Sequence, residues 1–274
     1  MAARNGLLAL AGLALAGVAP AATPLEAVPE AEPGVNIVAL AWGQVPDHAG
    51  SNDTVSGIAP LVRLQLAGER YVQLVGTELS WNVLDSAHWR AGPLLGFRPG
   101  RKETVDPVVR QMQPVDGEIE LGAFATRVWR LGEDPRHLLN ASADLLRGTG
   151  RGHGGWVGSL RVNVFVPVSR AVLLNAGVGR GFGSGDYVST YFGVAASDAE
   201  LFPSLAGSAF SPSGGWTDWR ITYGVVVHLS PQWHLVAGGR WLQLDSRLAK
   251  SPIVSERGSR SSNIIGMGAG YVWR

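Results

Sequence analysis

Apolar and polar residues alternate with a period of two along the last third of the chain. From Trp219 to Leu229 every second residue is apolar or aromatic, and the intervening residues are mostly small, polar or charged. The alternation recurs in residues 233–241 and 265–273. Because successive side chains of a strand face opposite sides of a sheet, each segment predicts a strand with one apolar face. At about eleven residues, each is long enough to cross a bilayer as a tilted strand.

The same pattern along the rest of the chain predicts a succession of strands joined alternately by short turns and long polar loops. Outer-membrane barrels keep their short turns on the periplasmic side and their long loops outside. Loops 46–57 and 99–116 can both lie outside only if an even number of strands separates them. This requires that segment 70–84 be divided into two strands at Gly76-Thr77. The division gives twelve strands, and ten strands is the alternative count. The predicted strands are 35–45, 58–67, 70–76, 78–84, 88–98, 117–130, 136–147, 155–167, 171–183, 217–230, 233–245 and 262–273.

These strands predict an all-β protein, a transmembrane antiparallel up-and-down β-barrel. The alternative is a soluble β-sandwich or a water-soluble barrel, in which strands alternate just as cleanly. A soluble fold does not require aromatic residues at the ends of its outward apolar faces. Trp89, Trp129, Trp233 and Trp273 all fall near predicted periplasmic ends, which favours the membrane barrel.

Composition supports this choice. Charged residues make up only 16% of the chain, there are 37 glycines and 10 tryptophans, and the mean hydropathy is only +0.10. A helical membrane protein would be far more hydrophobic, whereas half of each barrel strand faces a polar lumen. The net charge of +1 gives no argument for a nucleic-acid partner. With no cysteine, the chain can form no disulfide and no cysteine-ligated metal site.

The N-terminus predicts export. Residues 1–21 have the pattern of a signal peptide, with Arg4 before an apolar core and Ala19-Pro20-Ala21 as the cleavage site. Residues 22–34 form a short periplasmic leader rich in Pro and Glu. The barrel then occupies residues 35–274. We therefore expect a monomer in contact with the lipid of the outer membrane of a Gram-negative bacterium.

Charged residues occur on the predicted lumen face with both signs. Mixed signs favour a closed interior of paired charges over a wide pore lined by one sign. A structural network of this kind is preferred to a selectivity ring. The candidate lumen charges are Arg63, Glu118, Glu120, Asp144, Arg161, Arg220 and Arg240.

Loop 184–216 is too apolar for a solvated external loop, because it carries six aromatic residues. It is predicted to fold into the barrel mouth, with a docking surface as the alternative. Within it, Ser197 and Glu200 are spaced to cap a short helix.

No residue set predicts catalysis, a cofactor or a metal. His228 and His234 flank one turn and could approach each other, but no third ligand stands nearby in the sequence. The glycine-rich segment 147–155 lacks the lysine and the strand–loop–helix context of a phosphate loop, so it is interpreted as a hairpin loop. His153 with Ser142 or Ser159 could be placed together on one barrel face, but their spacing does not support an acyl-transfer site.

Three motifs resemble the MipA/OmpV family of MltA-interacting outer-membrane proteins. They are Pro46-Asp-His-Ala-Gly-Ser51 after the first strand, Tyr191-Phe192-Gly193-Val194 after the long middle strands, and Ser251-Pro252-Ile253-Val254 just before the closing strand. The last continues through Glu256, Arg257 and Gly258, and Glu256 and Arg257 can pair locally.

The resemblance implies a barrel with no enzymatic activity of its own. It implies a scaffold or accessory protein that links a murein hydrolase, a lytic transglycosylase, with a bifunctional peptidoglycan synthase. Other family members are associated with osmotic adaptation, adhesion or antibiotic response. The alternatives are a narrow outer-membrane channel and, less favoured, a lipid-modifying barrel enzyme.

Overall fold

The computed structural model of the protein describes residues 34–274 and forms a closed barrel of twelve antiparallel strands. Each strand pairs with its sequence neighbour, and β1 closes the barrel on β12. The predicted signal peptide and all but the last residue of the leader lie outside the described residues. The strands are β1 Asn36–Pro46, β2 Thr54–Gln65, β3 Tyr71–Val75, β4 Glu78–Asn82, β5 Trp89–Arg98, β6 Glu118–Arg130, β7 Leu138–Gly148, β8 Trp156–Pro167, β9 Val172–Gly183, β10 Gly215–His228, β11 Trp233–Leu244 and β12 Ser261–Trp273.

The strand count of twelve is confirmed, including the division of segment 70–84. Strands β3 and β4 form a hairpin of two five-residue strands that turns at Gly76, whose φ of 59° suits glycine. Strand β2 begins at Thr54, four residues before its predicted start at 58. Its polar first residues continue the ladder with β1, where Val45 pairs with Val55. They extend beyond the apolar band, which is why the hydrophobic pattern missed them.

The outward faces form an apolar band around the barrel, as the alternation predicted. On β1 and β12, for example, Leu40 and Met267 are 58% and 63% exposed. All four tryptophans predicted near the periplasmic ends point outward and are exposed. The Arg127 guanidinium lies 5.3 Å from the ring centroid of Trp89 and 5.6 Å from that of Trp129. Such an aromatic and cationic belt is typical of a membrane interface.

The inward faces divide the lumen into two halves of different character. In the half beside the long loops, charged side chains dominate. In the half beside the short turns the lumen wall is apolar, which corrects the expectation of a polar lumen throughout. Its buried residues pack against one another across strands β6 to β10: Val128, Leu138, Phe165, Leu173 and Val226.

Helices occur only in the connections of the part of the chain that the structure describes. The two α-helices are α1, Gly185–Phe192, and α2, Pro252–Ser255; three 3₁₀ segments cover Val109–Gln111, Ala196–Leu201 and Pro203–Leu205. Among residues 34–274 no helix is long and apolar enough to cross a membrane.

Candidate functional site: the cap over the barrel mouth

Four long loops fold over one end of the barrel and into its mouth. We call loops 47–53, 99–117, 184–214 and 245–260 the cap. By the loop-length rule this end faces outside the cell. The other end carries the short turns and faces the periplasm.

Helix α1 enters the barrel mouth. Its first turn is capped by Ser184, whose hydroxyl accepts from the Tyr187 amide. The inner side of the helix buries Tyr187, Val188, Tyr191 and Phe192. The apolar loop 184–216 therefore folds into the mouth, as predicted. The suggested helix cap at Ser197 is wrong, because that 3₁₀ segment begins at Ala196 and its first residue has no side-chain cap.

The three family motifs meet in the cap. Ser51 of the first motif forms a β-bridge with Gly258 of the third. The Ser251 hydroxyl donates a 2.6 Å hydrogen bond to the carbonyl of Phe192 in the second motif. A Cβ at Gly258 would lie 1.9 Å from the carbonyl oxygen of Gly50, so this crossing of two loops requires glycine. The motifs are thus packing partners, although they are far apart in sequence.

The contacts of Gly193 and its neighbours show why the second motif has these residues. A Cβ at Gly193 would lie 2.2 Å from the carbonyl oxygen of Ser189, so only glycine fits where α1 ends. The Tyr191 carbonyl accepts a 3.2 Å hydrogen bond from the buried Arg101. Val194 forms a bridge with Phe210, which turns the chain back across the mouth.

An ion pair joins two cap loops. Two guanidinium nitrogens of Arg257 lie 2.9 and 2.7 Å from one carboxylate oxygen of Asp106. The local pairing of Arg257 with Glu256 expected from sequence is therefore wrong, and Glu256 accepts from Ser204 instead. Burial alone would raise the pKa of Asp106. The bonds from Arg257 and from two backbone amides outweigh burial and hold that pKa below its ordinary value.

The underside of the cap is an apolar cluster. Pro252, Ile253 and Val254 of the third motif are almost fully buried. Ile253 lies in this cluster and Val254 packs with helix α1, which explains why a loop at the end of a barrel carries two consecutive apolar side chains here. The buried members of the cluster come from three loops: Val109, Met112, Val194, Phe202 and Ile253.

Next to α1, a buried charged network lies on one side of the mouth, on β5, β6 and the β7–β8 loop. Two Arg98 nitrogens bond to the Glu120 carboxylate at 2.6 and 3.0 Å. The His153 ring nitrogen Nε2 lies 2.7 Å from Glu120 and 3.3 Å from Glu118. The Tyr187 ring packs against the His153 ring at 5.0 Å. Helix α1 therefore rests on a layer of paired charges.

The glycine-rich loop 149–155 wraps a carboxylate of its own chain. Backbone amides of Gly150, His153 and Gly154 donate to the two oxygens of Glu118. Gly150 and Gly154 adopt φ values of 100° and 57°, which lets consecutive amides converge. The interpretation of this segment as a hairpin loop is therefore right. Its glycines do allow the backbone to bind an anionic group, and that group is the carboxylate of Glu118.

The remaining predicted lumen charges lie one level further in, around a chamber of about 330 Å³ that we call the upper chamber. Arg161 pairs with Asp144 at 2.8 Å, and Arg220 pairs with Asp218 at 2.5 Å. The Arg63 guanidinium lies 3.7 Å from the Tyr71 ring centroid. Arg240 also lines the chamber. The structure therefore places Glu118 and Glu120 in the network under α1 and the other five around the chamber.

Several members of the site were missed from sequence. Arg98 and Asp218 lie at inward positions near the ends of their strands. At a strand end, the sequence does not show whether a residue still belongs to the strand, so the direction of its side chain cannot be predicted. Asp106 and His153 lie in loops, and no periodicity indicates where a loop side chain points. Contacts between buried loop residues that are far apart in the chain produce no recognisable pattern in the local sequence.

The two serines considered as catalytic candidates have partners other than His153. Ser159 donates to Asp144 at 2.7 Å, and Ser142 pairs with Thr126 at 2.9 Å. His153 instead contacts the two glutamates. His228 and His234 do approach each other, with 2.7 Å between their Nδ1 atoms. Among residues 34–274 no group of three potential metal ligands is present.

The closed ring of twelve strands, its outward apolar band and its aromatic girdles define an outer-membrane β-barrel with a capped mouth. Within this class, the chain belongs to the family described as MltA-interacting protein MipA, whose model matches residues 38–273. No curated protein matches the chain.

Solved barrels resemble it distantly. An outer-membrane channel from Pseudomonas putida F1 has 11% identity, with a TM-score of 0.47 over 89% of this chain and 97% of that one. The NanC porin has 9% identity, with a TM-score of 0.46 over 86% of this chain and 98% of that one. The strand order of the protein itself defines the barrel.

Proposed function

We propose that this protein is a non-enzymatic outer-membrane scaffold, which holds a lytic transglycosylase and a bifunctional peptidoglycan synthase together at the periplasmic face. In this proposal a signal peptide at residues 1–21 directs export of the chain across the inner membrane. Family membership over residues 38–273 supports the assignment. The observation that carries it is the cap, because a barrel with a closed mouth is better suited to an anchored platform than to solute passage.

The chemistry of the interior agrees with a structural role. The buried charges under α1 are held in mutual pairs, so no nucleophile is paired with a base there. Their carboxylates accept hydrogen bonds from amides, an arginine and a histidine. The proposal therefore assigns the network to holding the cap closed.

Co-capture of the two enzymes tests the scaffold. The purified barrel, immobilised in nanodiscs, is expected to retain a lytic transglycosylase and a peptidoglycan synthase together, and to retain more of each when both are present. An epitope inserted in the periplasmic turn 168–171 should abolish capture. The same epitope inserted at the exposed residues 206–208 of the cap should leave capture unchanged. Absence of capture with both enzymes present would refute the scaffold.

A narrow channel is the second candidate, and one observation favours it. The upper chamber and a second cavity nearer the periplasm, of about 950 Å³, are both lined by Leu61 and Arg90. The two cavities are therefore neighbours along the barrel axis, and a channel would need an opening between them and another through the cap. In planar bilayers the scaffold predicts no steady conductance, whereas steady openings in the unmodified protein would establish the channel.

A further inference from the structure

The second cavity, which we call the lower cavity, lies inside the barrel at its periplasmic end. It has a volume of about 950 Å³. The turn residues Arg170, Ala171 and Pro231 lie on its rim, so it opens toward the periplasmic side. Volumes of roughly 300–1,000 Å³ are typical of sites that enclose a small molecule.

The wall of the lower cavity is apolar. Side chains from strands on every side of the barrel contribute to it, and many are almost completely excluded from solvent. A water-filled barrel lumen is normally polar. A wall of this kind instead favours an occupant that removes apolar surface from water. The wall includes Ile37, Ala39, Leu61, Val128, Leu138, Leu173, Val226, Val236 and Val272.

The rim of the lower cavity has one sign of charge. Five arginines and two histidines line the cavity, and no Asp or Glu side chain is among its lining residues. The nearby carboxylate of Asp134 is occupied by Arg136, with nitrogen–oxygen distances of 2.7 and 3.0 Å. The Arg130 side chain is exposed and donates to the backbone carbonyl of Ala87 at 3.4 Å. The basic lining residues are Arg90, Arg130, Arg136, Arg170, Arg274, His228 and His234.

Apolar depth below a cationic rim is complementary to one class of molecule. We propose that the lower cavity binds a single-chain anionic amphiphile, with its acyl chain along the Val128–Val226 wall and its acidic head group among Arg130 and Arg170. Arg90 and Arg136 are paired with Glu69 and Asp134, at 3.0 and 2.7 Å. A neutral lipid would offer no counter-charge to Arg130 and Arg170, and a cationic one would be repelled. A small polar solute would find its partners in the upper chamber, where ion-paired side chains supply them. This site is independent of the proposed scaffold.

Saturated fatty acids of increasing chain length are suitable probes. The purified, delipidated barrel in amphipol is dialysed against radiolabelled octanoate, decanoate and dodecanoate. We expect saturable binding of one molecule per barrel. Affinity should rise about fourfold for each added methylene, the value for complete transfer from water, until the chain fills the cavity.

Two pairs of variants separate the cavity from the lipid-facing surface. Val226 points into the cavity and its neighbour Val225 points outward. Val226→Trp fills the cavity and should reduce decanoate affinity at least tenfold, whereas Val225→Trp should leave it unchanged. Removing rim charge with Arg130→Gln and Arg170→Gln together should weaken decanoate about tenfold and decanol less than twofold. Arg127→Gln, on the outward face, is the matched control.

Heat-modifiable mobility checks that each variant forms a barrel. Binding that does not saturate, or that Val225→Trp reduces as much as Val226→Trp, would show partitioning to the outer surface and overturn the proposal. Equal loss of acid and alcohol in the arginine variant would overturn the role of the rim. Binding that appears only in a chain beginning at Gly34 would also overturn it, because the preceding residues would then be the occupant.

Discussion

The Ser251 hydroxyl donates its hydrogen bond to the Phe192 carbonyl across 59 residues of sequence, and Ser251 is completely buried. This bond joins the third family motif to the second at the point where helix α1 ends inside the mouth. It ties the last long loop to the helix that enters the barrel mouth.

We expect Ser251→Ala to loosen the cap. The change leaves a buried carbonyl without its donor, which costs about 1–3 kcal/mol. Trypsin added to intact barrels should cleave the cap severalfold faster in the variant. Trypsin should cleave the Ser255→Ala variant, which is changed at an exposed position in the same loop, at the rate of the unmodified protein. Equal rates for the two variants would contradict a role for the bond.

Gly258→Ala should separate the first and last loops of the cap. The new Cβ would lie 1.9 Å from the Gly50 carbonyl oxygen, so one loop must move. A spin label on Asn52→Cys, at the exposed position next to Ser51 in a chain that has no other cysteine, should become more mobile. Gly185→Ala is the control, because nothing lies within 4 Å of its added Cβ. Unchanged label mobility with Gly258→Ala would show that the crossing tolerates the methyl group.

Glu118→Gln should destabilise the loop 149–155 and with it the layer under α1. An amide nitrogen would then face backbone amides that need an acceptor, and losing one member of a buried charged network costs about 3–5 kcal/mol. The temperature at which the barrel loses its heat-modifiable mobility should fall clearly. Glu103→Gln, on an exposed cap residue, should not change it. If the Glu118 variant were as heat-resistant as this control, the charged network would not contribute to the stability of the barrel.

Mild acid should loosen the cap through His48. Burial lowers the pKa of this histidine below its ordinary value of 6.5, so the folded cap favours the neutral ring. The resulting stability is complete above that value and is lost as the pH falls from 6.5 through the folded pKa. Arg101, Asp47 and Asp106 are the charged groups that act on the ring.

A spin label on Ser208→Cys, an exposed cap position, reports this change. Its mobility should increase between about pH 7 and pH 5 in the unmodified background and stay constant with His48→Gln. The pKa of Asp106 lies below its ordinary value of 3.8, so loss of the Asp106–Arg257 pair falls in a separate, more acidic window. A mobility change between pH 7 and 5 that persists without His48 would refute this assignment.

Much of the barrel could be predicted from periodicity because a strand that faces lipid has few options. Each outward residue must be apolar and each backbone group must find a partner within the sheet. Loop parity then required the break at Gly76-Thr77, which the structure has. The start of β2 was missed because Thr54 and Ser56 extend past the lipid band, where polar residues are permitted on both faces.

The candidate site could be predicted only in part. The inward charges on strands follow from the same period of two, but their partners do not. Arg257 pairs with Asp106, 151 residues away, rather than with the adjacent Glu256. Loop side chains have no fixed direction, and so their contacts depend on how the barrel brings the loops together.

The sequence by itself determined the number and order of the strands, which of their faces meets lipid, and which family the motifs resemble, because these depend on local spacing and residue type. Only the tertiary structure decided that the three motifs pack on one another, that Glu118 occupies the glycine-rich loop, and that the periplasmic half of the lumen is apolar. Those features arise when closure of the β1–β12 pair sets the distances across the barrel, and no local pattern encodes such distances.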